Sequence, residues 1–196
     1  MEVRIQNNDD GTVAGVTKGG QLRVIGENHS LPFHISYAQA GVYQFVAEAT
    51  LTNGTATVWH IKNTDTTRIC VLAEMDAQII DPAGGTAIPS ANTYIDIGFN
   101  RTYSSGGSAL TPVNQNRTVG KVASVDLYEG APTMAGTFLE TQKWFPDAEA
   151  SRYTFEERDG LILGLNDTLE MRVISDNTSG TCLSHCTFMM IDPLEL

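Results

Sequence analysis

Asn53-Gly54 lies between two alternating segments, residues 42–51 (Val-Tyr-Gln-Phe-Val-Ala-Glu-Ala-Thr-Leu) and 56–61 (Ala-Thr-Val-Trp-His-Ile). Asn-Gly accepts the positive φ angles of a type I′ turn, whose twist matches that of paired strands, so the pattern predicts a β-hairpin. With Thr52 and Thr55 flanking the turn, the expected register opposes Leu51 to Ala56, Ala49 to Val58, Ala47 to His60 and Glu48 to Trp59. One face then holds Phe45, Ala47, Ala49, Leu51, Ala56 and Val58 and belongs in a core. The other carries Val46, Trp59 and Ile61 among Glu48, Thr50 and Thr57, more apolar than a solvated sheet face usually is. Either a second layer of the same chain or a neighbouring subunit covers it; in the second case Val46, Trp59 and Ile61 form the interface.

Turn signals of this kind recur. Residues 68–80 form a long apolar run stopped by Asp81-Pro82, and its β-branched ends favour a central strand over a helix. Residues 93–99 alternate cleanly, 104–107 (Ser-Ser-Gly-Gly) read as a loop tip, and 122–128 read as a strand. Between them, 111–117 carries no decisive pattern. A strand at 138–144 and one helical turn opened by Pro146 are expected next. Strands at 169–174 and 182–191 follow turns at Asn166-Asp167 and 176–180. Residues 1–36 differ: short apolar pairs (Val3/Ile5, Val13/Val16, Leu22/Val24) between polar and glycine-rich breaks are too short for a core of their own. The expected organisation is an N-terminal arm or small ribbon over 1–36 and an all-β domain over 37–196. Eight to ten strands there suggest a β-sandwich with jelly-roll or Greek-key connections.

Composition limits function more than it defines it. The formal net charge of −11, with 12 basic residues dispersed along 196, argues against binding a nucleic acid backbone. No apolar stretch reaches the ~20 residues that span a bilayer, and the first ten residues lack a secretion signal, so synthesis in the cytosol is expected. No phosphate loop or activated-serine motif is present, and the polar stretch Asn8 to Gly11 departs from a calcium loop because Thr17 stands where the bidentate Glu belongs. No metal, cofactor or catalytic residue is assigned, and the chain is expected not to be an enzyme. Cys70, Cys182 and Cys186 are the remaining reactive groups. On one regular strand Cys182 and Cys186 stand ~13 Å apart, too far for a mutual disulfide. Buried thiols are one reading, and an intersubunit disulfide through an outward-facing set is the other. His29, His34 and His60 are expected at the surface or an interface.

Three segments carry a resemblance: 3–25, from Val-Arg-Ile-Gln-Asn-Asn-Asp-Asp-Gly-Thr-Val to Gly-Gln-Leu-Arg-Val-Ile; 85–99, Gly-Thr-Ala-Ile-Pro-Ser-Ala-Asn-Thr-Tyr-Ile-Asp-Ile-Gly-Phe; and 161–173, Leu-Ile-Leu-Gly-Leu-Asn-Asp-Thr-Leu-Glu-Met-Arg-Val. In style the chain is similar to tailed-bacteriophage virion structural proteins, closest in character to β-sandwich decoration or minor capsid proteins. The resemblance implies a non-enzymatic virion component that forms homo-oligomers, with a trimer favoured, and binds the major capsid protein. Neck, collar or tail-accessory proteins share this construction. A receptor- or glycan-binding module is the rival class, and Trp59, Trp144, Tyr103 and Tyr153 are its candidate platforms.

Overall fold

A computed structural model describes the strands at residues 5–6, 13–16 and 22–24, together with residues 41–80, 92–115, 122–145, 152–156 and 161–192. The chain divides into two compact units, 1–31 and 32–196. In the first, β1 (Ile5–Gln6), β2 (Val13–Val16) and β3 (Leu22–Val24) pair antiparallel in that order. His29, His34, the stretch between Asn8 and Gly11, and the helical turn expected from Pro146 lie outside the described residues.

The second unit contains β4 (Val42–Thr50), β5 (Gly54–Asn63), β6 (Ile69–Ile80), β7 (Tyr94–Phe99), β8 (Thr102–Ser105), β9 (Ser108–Ala109) and β10 (Val113–Asn114). It continues with β11 (Val125–Glu129), β12 (Thr133–Ala135), β13 (Leu139–Trp144), β14 (Arg152–Glu156), β15 (Ile162–Leu163), β16 (Thr168–Ser175) and β17 (Thr181–Ile191). No described residue is helical. One sheet has the order β10-β4-β17-β6-β14, with β15 also on β6; the other has the order β13-β7-β16-β5-β11-β9. All pairings are antiparallel.

The pairings are nested. β4 pairs with β17, β5 with β16, β6 with β14 and β15, and β7 with β13. Cross-pairing of β17 with β6 and of β16 with β7 then rolls this long four-pair hairpin into two facing sheets. That is a jelly roll.

The segment at Asn53-Gly54 is consequently not a hairpin. β4 and β5 belong to different sheets, and residues 51–53 form an arch between them. A type I′ turn needs positive φ at both central residues; Gly54 has φ 136°, but among the described non-glycine residues only Asn100, Ala131 and Asn166 are positive. The arch packs beside the second crossing at 176–180, where Leu51 N–H donates to the Gly180 carbonyl at 2.9 Å. Ala49 therefore pairs with Cys182 instead of Val58. Burial of both inward faces makes the arch favourable, since Phe45, Ala47, Ala49 and Leu51 of one layer meet Ala56, Val58, Trp59 and Ile61 of the other.

A second departure concerns β5 itself. Against β16, Thr57 pairs with Arg172 and Trp59 with Met171, so Val58 is an extra, bulged residue. The bulge shifts the alternation, turning Trp59 and Ile61 inward and Thr57 and His60 outward. Trp59 packs edge-on against Phe45 (centroids 5.6 Å) and donates its indole N–H to Ser184 Oγ at 3.0 Å, tying the two sheets together. Ser184 in turn donates to the Asp76 carbonyl at 2.7 Å.

Residues 100–138 form a long insertion between β7 and β13. β8 and β12 make a two-stranded ribbon, β11 pairs along β5 and carries β9, and β10 pairs along β4. Without the insertion, β4 and β5 would be open edges of the eight-strand frame. Covering them removes two pairing templates.

Candidate functional site

The distinctive chemistry lies on the outer face of the β5-containing sheet, beneath the insertion. Here the alternation of β16 (Leu169, Met171 and Val173 inward; Glu170 and Arg172 outward) and of β7 (Ile95 and Ile97 inward; Asp96 outward) places charged side chains mid-sheet. Glu170 Oε1 accepts from the Thr57 hydroxyl at 2.5 Å and from Arg101 Nη1 at 3.1 Å. Arg101 Nη2 donates to the Met134 carbonyl at 2.9 Å, so one side chain binds the sheet and both limbs of the insertion. His60, opposite Glu170 on β5, bonds through Nε2 to the Arg101 carbonyl at 3.0 Å.

The neighbouring pair is Arg172 Nη2 on Asp96 Oδ2 at 2.7 Å, with Lys143 bridging to Asp96 (3.8 Å) and Glu140 (3.0 Å). The Phe138 ring lies 3.3 Å from the Arg172 guanidinium carbon and covers it. A Cβ at Gly98 would stand 2.6 Å from that ring and 2.5 Å from the Leu139 carbonyl, so only glycine admits this approach. Burial pushes the Glu170 and Asp96 carboxyls up, against the opposing pull of the Thr57 hydrogen bond and Arg101 on the first and of Arg172 on the second. The His60 imidazole is pushed down by burial. The ensemble has every acid engaged by a cation or donor and fastens the insertion to the sheet.

The residues expected to matter fall elsewhere. Val46 is exposed (62 %) on the outer face of β4, where it is available as an interface residue, whereas Trp59 and Ile61 are fully buried in the domain core. For those two the covering layer is the same chain, and the neighbouring-subunit alternative is corrected. His60, expected near the surface, is 1 % exposed. Cys70, Cys182 and Cys186 are free and buried, with Cys182 and Cys186 on the inward side of β17. Burial pushes all three thiols up, Cys182 to about 12, so they are protonated and shielded; the outward-facing arrangement an intersubunit disulfide requires is absent from these positions.

Of the candidate aromatic platforms, Trp59 and Trp144 are buried. Tyr103 stacks on Tyr128 with centroids 3.6 Å apart and planes 2° apart, both rings half-buried. Tyr153 lies in β14, whose side chains are outside the described residues. Among the described residues there is no group of three or more His, Cys, Asp or Glu able to hold a metal. No helix of the described residues is long and apolar enough to cross a membrane.

The charged face beneath the insertion was not singled out from sequence. Its signal was present in Leu169-Glu170-Met171-Arg172-Val173, but alternation alone reads such charges as facing solvent. Neither a search of protein-family profiles nor one of curated proteins finds a match to this sequence.

Proposed function

We propose that this chain is a non-enzymatic structural component of a phage virion, a capsid decoration or minor capsid protein that reinforces the shell through contacts with its own copies and with the major capsid protein. The observation that carries this reading is the nested eight-strand jelly roll, an architecture that recurs in viral shell proteins. One fold hosts many functions, so further support matters. The insertion closes two sheet edges by pairing, a device that keeps a many-copy protein from uncontrolled edge-to-edge association. Val46 stands out on the opposite sheet, and repetition over a lattice turns modest contacts of this kind into avidity. Trimeric assembly is part of the proposal, with the 1–31 ribbon as the segment that reaches a neighbour.

Mass-spectrometric copy counting in purified particles tests the reading. Hundreds of copies per particle are expected. A dozen or fewer would place the protein in a neck, collar or tail, and its absence from particles would overturn the virion assignment.

The Tyr103–Tyr128 stack favours a second reading, a glycan-binding module, because paired rings at a surface offer a platform for sugar rings. Saturable binding on a glycan array, lost on Tyr103→Ala, is the result that would select it.

A further inference from the structure

We propose that the outer edge of β13 is a self-association site, at which two copies of this chain pair their β13 strands antiparallel about a two-fold axis and join two sheets into one. β13 ends its sheet and, among the described residues, pairs only with β7. At the opposite end of the same sheet the insertion covers β5, whereas this edge stays a pairing template. Apolar side chains stand exposed at both of its ends, Leu139 at 53 % and Phe145 at 67 %. Residues 138–145 (Phe-Leu-Glu-Thr-Gln-Lys-Trp-Phe) show the same chemical order from either end, with apolar residues outermost, opposite charges within and a hydroxyl and an amide at the centre. Turned end to end against itself, the strand opposes Phe138 to Phe145, Leu139 to Trp144, Glu140 to Lys143 and Thr141 to Gln142 of the second copy.

Such a register has a geometric condition, and a bulge meets it. Opposed residues of an antiparallel pair point to the same face, but on a regular strand residues three apart, such as Glu140 and Lys143, point to opposite faces. β13 is not regular: Glu140 opposes Gly98 and Gln142 opposes Ile97, so Thr141 is an extra residue. Beyond it the alternation is inverted, and Glu140 and Lys143 share the outer face, where they form an ion pair at 3.0 Å beside Asp96. Phe138 and Phe145 lie on that face too, the first over Arg172 and the second against Tyr94 with centroids 5.5 Å apart. Leu139 and Trp144 oppose Phe99 and Ile95 and belong to the inner face. The apolar and charged pairs of the two-fold register therefore match in face as well as in chemistry. Each Lys143 meets Glu140 of the second copy, giving an alternating ring of acids and bases, and Leu139 gains the cover it lacks. A shifted register or a foreign strand would leave these charges unmatched, so the residues that discourage general edge pairing select a second copy. An isologous contact closes at two copies, and it does not depend on the shell reading.

Sedimentation equilibrium of the full chain tests the contact, with a reversible monomer–dimer equilibrium as the expected result. Glu140→Lys sets like charges opposite each other on both sides of the two-fold axis and should weaken dimerisation at least about tenfold, and Lys143→Glu should do the same. An equimolar mixture of the two variants restores opposite charges between unlike chains and should regain the dimer. A monomer at every concentration up to about 1 mM overturns the proposal. So does self-association that Glu140→Lys leaves unchanged, which would place the contact elsewhere, or a mixture no more associated than the separate variants. Lys143 also faces Asp96, so Lys143→Glu could fail to fold. In that event half-labelled wild-type protein decides: isotope-filtered NOEs must connect backbone protons of Glu140 in one copy with those of Lys143 in the other, and a dimer without them overturns the proposal.

Discussion

Asp65 shows how one side chain can hold a crossing between layers. At the turn from β5 to β6 its Oδ1 accepts from Thr67 N–H, the Thr67 hydroxyl and Arg68 N–H, each at 2.9 Å, and its Oδ2 accepts from Arg68 Nε at 2.8 Å. These donors hold its carboxyl well below the usual range against the opposing effect of burial. Because the folded pKa lies below the unfolded one, the unfolded chain binds more protons in that interval. The stabilisation is complete above about pH 4 and is lost as pH falls through the folded value. Asp65→Ala should cost about 1–3 kcal/mol by removing the hydrogen bonds that its charged carboxylate accepts from Thr67 and Arg68, measured by urea denaturation at pH 7, and the difference from wild type should shrink toward pH 2. The thiols make a complementary case. Cys70, Cys182 and Cys186 should resist alkylation in the folded protein and all three should react after denaturation, as intact-mass analysis would record.

Strands were legible in the sequence wherever alternation or a long β-branched run was strong, as at residues 69–80, 94–99 and 181–191. What alternation could not supply was the partner. Phe45, Ala47, Ala49 and Leu51 announce an inward face equally well whether the chain turns back within one sheet or arches to another. The bulge at Val58 was hidden for a similar reason, since an inserted residue leaves no compositional mark and inverts the faces of Trp59 and Ile61. The two- and three-residue strands β9, β10 and β12 are set by tertiary pairing, which explains why 111–117 resisted assignment and why the domain has more strands than the eight to ten expected. If the insertion serves as an edge guard, replacing residues 101–135 with a short turn should leave a β-rich fold that self-associates. Light scattering would show growth with concentration, and a monodisperse monomer would contradict the edge-guard role.

For the whole molecule, the division at residue 31 and the jelly roll beyond it make separate claims. Deleting residues 1–31 should leave a domain that unfolds cooperatively in thermal denaturation, because the core formed by the described residues of 41–192 is extensive and continuous across both sheets. On the proposed function, the same truncation should bind particles less well. The shell reading and the guarded edges both depend on the nested pairing around the two adjacent arches, and that pairing can be observed in solution. Inter-strand NOEs between backbone protons of the full chain, measured on perdeuterated, selectively reprotonated protein, should connect Ala49 with Cys182 and Trp59 with Met171. Contacts from Ala49 to Val58, with none to Cys182, would restore the hairpin and contradict the jelly roll.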